Sequence, residues 1–273
     1  MTRRTLWLWL FVTMKKLRLT KRKKFGLIVL SLTAFFLVIQ LAPFSWRYPL
    51  ILALVSLTYL LCVWGLYEDL DGIEWLTLFI MPVGFVTSLS LFYFLLPQRF
   101  LTRLPITFLF ALGMYAVLLI ENIYNVAAER TIALLRAAHS VGLLITLFTY
   151  FLFLALILSF HLNFFQNAGL TFLVSFPLIL QSLWAMKLEP NLTKELLVYS
   201  FVLSLSLGEL AFTFSFWPIP TIVEALFLTT VFYSLVGMVQ QLFLERFFKK
   251  TVREFLTVSG LVFLLVLIAT HWG

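Results

Sequence analysis

The chain has 273 residues, of which 62% are hydrophobic and only 12% are charged, and its formal net charge is +8. A soluble domain usually has about a quarter of its residues charged, so this composition excludes an ordinary soluble protein. Apolar runs of about 20 residues recur from Phe25 to Trp272, and each can cross a membrane as a helix. The sequence therefore predicts an all-α fold, a polytopic integral membrane bundle of about nine transmembrane helices.

The N-terminal 24 residues form a strongly basic segment that contains nine of the twenty Lys and Arg residues. We expect residues 1–24 to lie in the cytoplasm and residues 25–273 to form a single transmembrane domain. Met14 begins a basic stretch that leads directly into the first long apolar run. Translation could therefore start at Met1 or at Met14, and the sequence leaves both alternatives open.

Charges, prolines and polar clusters divide the transmembrane domain into nine predicted helices. Their predicted bounds are 25–42, 49–67, 75–96, 104–121, 141–161, 168–186, 196–216, 219–244 and 254–272. If the N-terminus is cytoplasmic, only Arg47, Arg99 and Arg103 of all the basic residues lie outside. This bias follows the positive-inside rule and predicts a multi-pass protein of the plasma (inner) membrane with its C-terminus outside.

The same charge pattern indicates which partners and cofactors to expect. The basic residues flank apolar runs, so they favour membrane lipids as partners and not nucleic acid. Cys62 is the only cysteine and the three histidines are far apart in sequence, so no metal site and no cofactor is predicted. The acidic loop EDLDGIE could hold Mg²⁺ but is more simply explained as a solvated turn. No motif of a catalytic residue is found, which disfavours an enzyme.

Two carboxylates lie at membrane depth near the predicted outer face. Glu209 and Glu224 flank the turn at 217–220, each about 10 Å inside the outer boundary. An ionisable group at this depth is costly and usually faces the bundle interior or water. The two side chains could face each other and couple to a proton or a cation, or each could make only a structural contact, for example with His161. These three residues are our candidates for an intramembrane polar site.

The segment 121–140, ENIYNVAAERTIALLRAAHS, contains neither Gly nor Pro and is predicted to be helical. We expect a turn at Asn122 or Asn125 and then one helix over 126–161, whose length of about 54 Å exceeds the hydrocarbon thickness of about 30 Å. On a helical projection, one polar stripe contains Glu121, Asn122, Asn125, Glu129, Arg136 and His139. The stripe is either the wet face of a surface helix, or it lines an inner vestibule or binds a protein partner at the cytoplasmic face.

Three functions are consistent with these features. The most concrete is a transporter or permease-like protein for a small solute, ion or lipid, which would use the carboxylate pair and the polar stripe. A non-catalytic structural or assembly subunit of a membrane complex is an almost equal alternative, because polar residues in membrane helices often serve only packing. A membrane-embedded enzyme that acts on a lipid-linked substrate is the third alternative.

Overall fold

A computed structural model describes residues 20–67, 70, 72–97, 99–129 and 134–270. These residues form nine α-helices and no strand, and each helix is long and apolar enough to cross a membrane. The prediction of an all-α membrane bundle is therefore confirmed. The helices are α1 (Lys21–Leu41), α2 (Phe44–Leu66), α3 (Glu74–Phe92), α4 (Phe100–Glu129), α5 (Leu135–Ser159), α6 (Phe164–Lys187), α7 (Lys194–Phe214), α8 (Thr221–Phe243) and α9 (Lys249–Ala269).

Helices α1 and α9 begin earlier than predicted, because basic residues continue the helix outside the apolar run. Lys and Arg are good helix formers, so they form the first turn of each helix without breaking it. Residues 21–24 of the predicted cytoplasmic segment are thus part of α1. Residues 1–19, which contain both proposed starts, lie outside the described residues.

The largest correction concerns the segment 121–140. Helix α4 continues to Glu129 and α5 begins at Leu135, so the predicted turn at Asn122 or Asn125 is wrong, as is the single helix over 126–161. Asn125 does not cap a helix, since its Nδ2 donates a hydrogen bond to the carbonyl oxygen of Leu66 at 3.2 Å. The side chain of Asn125 thus bonds to the backbone of a neighbouring helix instead of to the backbone of its own helix at a turn. Residues 130–133 lie outside the described residues.

Helices α3, α5, α6 and α8 are the most buried of the described helices and form the centre of the bundle. Helix α3 packs against α2, α4, α5 and α6, while α5 also packs against α4, α6 and α8. In the most apolar 18-residue stretch of each helix, 56% of the residues of α3 and of α6 are buried, whereas only 6% of those of α9 are buried. Helix α9 packs mainly on α8 and is therefore peripheral.

The connections after α2 and α6 meet at one end of the bundle. The backbone N–H of Ile73 donates to the carbonyl oxygen of Pro190 at 3.4 Å, and Gly72 beside it has a φ of +49°. A Cβ on Gly72 would lie 2.8 Å from that oxygen, so glycine is needed here. This end also carries exposed or half-buried basic residues, and we call it the basic end; these are Arg136, Lys187, Lys194, Arg246, Lys249 and Lys250.

One residue of the acidic loop EDLDGIE, Glu74, does not lie in a solvated turn as expected. Glu74 is only 5% exposed and lies in the first turn of α3. A carboxylate in the first turn is favoured by the partial positive charge at the N-terminus of a helix, which offsets part of the cost of burial. The other acids of the loop, Glu68, Asp69 and Asp71, lie outside the described residues.

Close packing at Gly113 provides a test of the bundle. A Cβ on Gly113 would collide with the ring of Phe85, which is 1% exposed and packs against Phe110 and Phe148. We expect Gly113→Ala to lower the free energy of unfolding by about 1–3 kcal/mol, the typical cost of overpacking a core. Gly169→Ala is the control, since nothing lies within 4 Å of its added Cβ. Denaturation in mixed detergents measures both, and equal stability of the two variants would contradict this packing.

Candidate functional site

The most unusual polar group of the described chain is the side chain of Glu121 on α4. This residue is fully buried, and the Nε2 of Gln181 on α6 donates a hydrogen bond to its Oε1 at 3.0 Å. Its Oε2 is also buried and has no hydrogen-bond partner among the described residues. Burial of an ionised carboxylate without a cation costs far more than burial of a neutral acid. The site is therefore suited to a proton or to a bound cation.

A small cavity lies beside Glu121 and is lined by residues of α3, α4, α5, α6 and α8; we call it the Glu121 cavity. Its volume of about 10 Å³ is roughly the space for one water molecule. A cavity of this size can hold a water bonded to Oε2, but it cannot hold an organic solute. Its polar lining consists of Glu121, Tyr124, His139, Thr146, Gln181, Ser182 and Gln240.

Hydrogen bonds from several helices hold the walls of the Glu121 cavity. Gln240 on α8 donates from Nε2 to the hydroxyl oxygen of Ser182 at 2.9 Å. The Tyr124 hydroxyl donates to the carbonyl oxygen of Ala138 at 3.0 Å, and a Cβ on Gly142 would collide with that hydroxyl. These contacts fix α4, α5, α6 and α8 relative to one another, so the side chains around the cavity are preorganised.

His139 connects the cavity wall with the surface of the basic end. It is half-buried, and its Nε2 lies 2.9 Å from the carbonyl oxygen of Ala185. Because a carbonyl can only accept, Nε2 carries the proton, and Nδ1 of the neutral ring is left as an acceptor. The half-buried imidazole thus provides one donor, bonded to the backbone, and one acceptor in the wall of the cavity.

The predicted polar stripe is divided between two surroundings. Glu121 and Asn125 are fully buried, and Asn122 is half-buried with an Oδ1 that has no partner among the described residues. Arg136 is exposed, and the side chain of Glu129 lies outside the described residues. The projection assumed one helix through residue 140, whereas α4 and α5 have different axes. The part on α4 thus faces the core and not a wet surface.

The three outer candidates occupy three separate environments. His161 is exposed in the turn after α5, with a φ of 48°. Glu209 is exposed on α7 beside a groove of about 380 Å³ that is lined by residues of α6 and α7 alone. Glu224 is 7% exposed in the first turn of α8, and its Oε1 has no partner among the described residues. A functional role for each of them stays a prediction.

Several cavity residues were missed in the sequence, chiefly Gln181 and Gln240. Each is an uncharged amide near the end of an apolar run, where it hardly changes the hydropathy. A signal was present on α6, because polar residues recur there at nearly helical spacing in an otherwise apolar run; they are Asn167, Thr171, Ser175, Gln181 and Ser182, and all five are buried. Such a stripe indicates a polar helix face inside the bundle.

Comparison with known proteins identifies a family for this chain, but the function of that family is unknown. A family model described as "Protein of unknown function (DUF5656)" matches residues 64–269, which is most of the chain. The matched range begins near the end of α2 and includes every residue that lines the Glu121 cavity. No curated protein and no solved structure matches the chain. A function therefore has to be inferred from the geometry.

The bond between Gln181 and Glu121 generates a prediction for stability. Gln181→Leu leaves both oxygens of Glu121 without a donor from the described residues, so we expect a loss of about 1–3 kcal/mol in the free energy of unfolding. The double variant Glu121→Leu with Gln181→Leu buries no unsatisfied group and should lose less than Gln181→Leu alone. Unfolding of all four proteins in a double-mutant cycle measures the coupling. Additive effects would show that the two side chains do not depend on each other.

Proposed function

Since the chain belongs to this family of unknown function, we propose from the geometry that it is a membrane transporter of a small cation. We call Glu121 its coupling site, because uptake and release of the cation there would be coupled to the passage of that cation through the bundle. The observation that supports this proposal is the fully buried carboxyl group with one oxygen bonded to Gln181 and the other without a partner in the described part of the chain. Ionisable residues inside membrane bundles typically mark ion pathways or proton relays. The coupled ion is a proton or a small monovalent cation.

The shape of the site favours transport over an enzyme that acts on lipid-linked substrates. The Glu121 cavity of about 10 Å³ is too small for a reacting headgroup. The larger groove beside Glu209 is open to the outside of the bundle, and no second titratable side chain lines it among the described residues. A coupling site needs only to bind and release one ion, and a cavity for one water molecule beside a carboxyl group fits that task.

A structural or assembly subunit of a membrane complex is the second candidate, and the position of Glu209 favours it. A carboxylate on the exposed face of a membrane helix is costly unless a partner covers it. The lining of the adjacent groove includes Ala168 and Gly169, and a Cβ on Gly169 would meet nothing within 4 Å, so another helix can approach closely there. In this case the predicted protein partner would bind at α6 and α7 rather than at 121–140.

Cation flux into liposomes tests the proposed function. Purified protein is reconstituted, and gradients of H⁺, Na⁺ and K⁺ are imposed separately while the internal pH and cation concentrations are followed with dyes. We expect protein-dependent flux of at least one cation and at least a tenfold decrease in Glu121→Gln, because the amide cannot take up a charge. Glu254→Gln makes the same change on the exposed face of the peripheral helix α9 and should be unchanged.

The outcomes of this experiment distinguish the two candidates. Flux that is lost in Glu121→Gln and retained in Glu254→Gln supports a transporter. An assembly subunit moves none of the three cations, and wild type and both variants then give the same background as empty liposomes. Flux that is equal in wild type and Glu121→Gln would remove Glu121 from the mechanism.

The proposed orientation places the basic end in the cytoplasm of a plasma (inner) membrane, since most basic residues lie at that end. Cys62 is fully buried, so the background of thiol labelling is low. We expect a membrane-impermeant thiol reagent to label Pro218→Cys in intact cells and to label Asn191→Cys only after lysis; both positions are exposed, at opposite ends of the bundle. The reverse pattern would invert the orientation.

A further inference from the structure

We propose that the coupled ion is the proton and that it crosses the bundle along polar side chains of α5 and α6, which connect the Glu121 cavity with the opposite end. We call these side chains the α5–α6 track; its members are Thr146, Thr149 and Tyr150 on α5, Asn167, Thr171 and Ser175 on α6, and Ser215 after α7. This inference rests on the proposed function and specifies its ion and its path.

The track begins in the wall of the Glu121 cavity, which Thr146 lines. Thr149 and Tyr150 follow on the same face of α5, since residues three and four positions apart are neighbours on a helix. The Tyr150 hydroxyl then meets the hydroxyl of Ser175 on α6 at 2.9 Å. All of these side chains are buried, with at most 2% exposed.

The second half of the track follows α6 to the other end of the bundle. Ser175, Thr171 and Asn167 are spaced by four residues, so each step is about 6 Å along the helix axis. Asn167 donates from Nδ2 to the hydroxyl oxygen of Ser215 at 3.1 Å, and Ser215 is half-buried in the turn after α7. Along α6 the distance from Asn167 of the track to Gln181 of the Glu121 cavity is about 21 Å, compared with a hydrocarbon core of about 30 Å.

Two hydroxyl groups of the track, like those of Thr33, Ser90 and Ser200 elsewhere in the bundle, differ from most Ser and Thr residues in membrane helices. Such residues normally donate to the carbonyl oxygen one turn earlier, as Thr58 does to Leu54 and Thr229 does to Ala225. The hydroxyls of Thr149 and Thr171 are buried and have no partner among the described residues. A buried polar atom without a partner calls for an explanation such as a transient water or a role in proton exchange.

The direct bond between Tyr150 and Ser175 selects the proton over larger ions. The Tyr150 ring also packs against Phe232, with ring centroids 4.4 Å apart. A hydrated Na⁺ or K⁺ would have to separate these groups, whereas a proton passes by exchange within the hydrogen bond. Each step of about 6 Å on α6 is about twice a hydrogen-bond length, so in our proposal one water bridges it and bonds to the unpartnered hydroxyl of Thr171. The unpartnered hydroxyl of Thr149 would bond to a water in the same way on α5.

The transfer conserves protons and breaks no bond other than O–H and N–H. A proton enters from water near Ser215, and each hydroxyl or bridging water accepts one proton on a lone pair and releases the proton it held. The Asn167 amide exchanges no proton and only holds Ser215 and a water in place. The Glu121 carboxylate takes up the proton and later gives it to the cavity water. His139, the half-buried imidazole of the wall, then passes it to water at the basic end. One proton enters and one leaves, and the transmembrane gradient drives the flow.

Variants that remove only a hydroxyl group test the track. Thr171→Val and Tyr150→Phe keep nearly the same shape, and Thr171→Val removes no hydrogen bond of the described chain, so both should fold. We expect each to lower the initial proton flux into liposomes at least tenfold, while Thr58→Val stays within twofold of wild type. Thr58 is equally buried, but it lies on α2 and bonds only to its own helix. Thermal stability is measured in parallel to confirm folding.

The same measurements separate failure of the track from failure of the proposed function. If Glu121→Gln lowers proton flux but Thr171→Val and Tyr150→Phe have the same proton flux as Thr58→Val, the proposed track is wrong. The proposed coupling site at Glu121 is then still supported. If Glu121 controls Na⁺ or K⁺ flux and not proton flux, the proton is the wrong ion. If Glu121→Gln changes no flux, the proposed function itself fails. Loss of proton flux in the two track variants and in Glu121→Gln, with Thr58→Val unchanged, supports the inference.

Discussion

Every polar group in the interior of this bundle depends on a partner supplied by the protein, because the hydrocarbon core of a membrane offers none. This constraint accounts for the helices, whose backbone groups bond within each segment. It also accounts for most buried hydroxyls, which donate to carbonyl oxygens of their own helix, as in Thr58 and Ser204. Against this background the unpartnered Oε2 of Glu121 and the hydroxyls of Thr149 and Thr171 are exceptions with a physical cost. Similar exceptions occur elsewhere in the described bundle, at the hydroxyls of Thr33, Ser90 and Ser200. The oxygen of Glu121 and the hydroxyls of Thr149 and Thr171 are those that lie in the cavity and the track that we connect with function.

Helix α6 links these features because its buried face carries polar groups over most of its length. Gln181 bonds to α4, Ser182 accepts from α8 and Ser175 contacts α5. Helix α9, in contrast, meets α8 mainly through apolar contacts and one pair of hydroxyls, Ser234 and Ser259, at 2.7 Å. Since apolar contacts alone give little association in lipid, polar contacts decide which helices are fixed relative to one another. The helices around the cavity are therefore joined by polar contacts between them, whereas α9 lies at the periphery of the bundle.

The sequence predicts the number and order of the helices well, because hydropathy and charge act locally along the chain. It fails at Asn125, since the partner of that side chain is the carbonyl of Leu66, 59 residues away. It predicts similar depths for Glu209 and Glu224 but not their rotation about the helix axes. Packing sets that rotation, and it turns Glu224 inward and Glu209 outward. The cavity could have been found only in part, from the polar stripe on α6, because which helices face that stripe is a property of the tertiary structure.

The chemistry of Glu121 gives a reason to distinguish this cluster from structural polar contacts. A glutamine at this position would carry its own donor, and its hydrogen-bonding capacity would be the same at all times. A glutamate whose Oε1 is bonded to Gln181 changes its hydrogen-bonding capacity when it gains or loses one proton. Its Oε2 donates a hydrogen bond when protonated and is part of a buried anion when not. The protonated form can bond to a water in the cavity, whereas the ionised form requires a compensating charge. Gain and loss of one proton thus alters the interaction between α4 and α6, which is the property that a coupled conformational change requires.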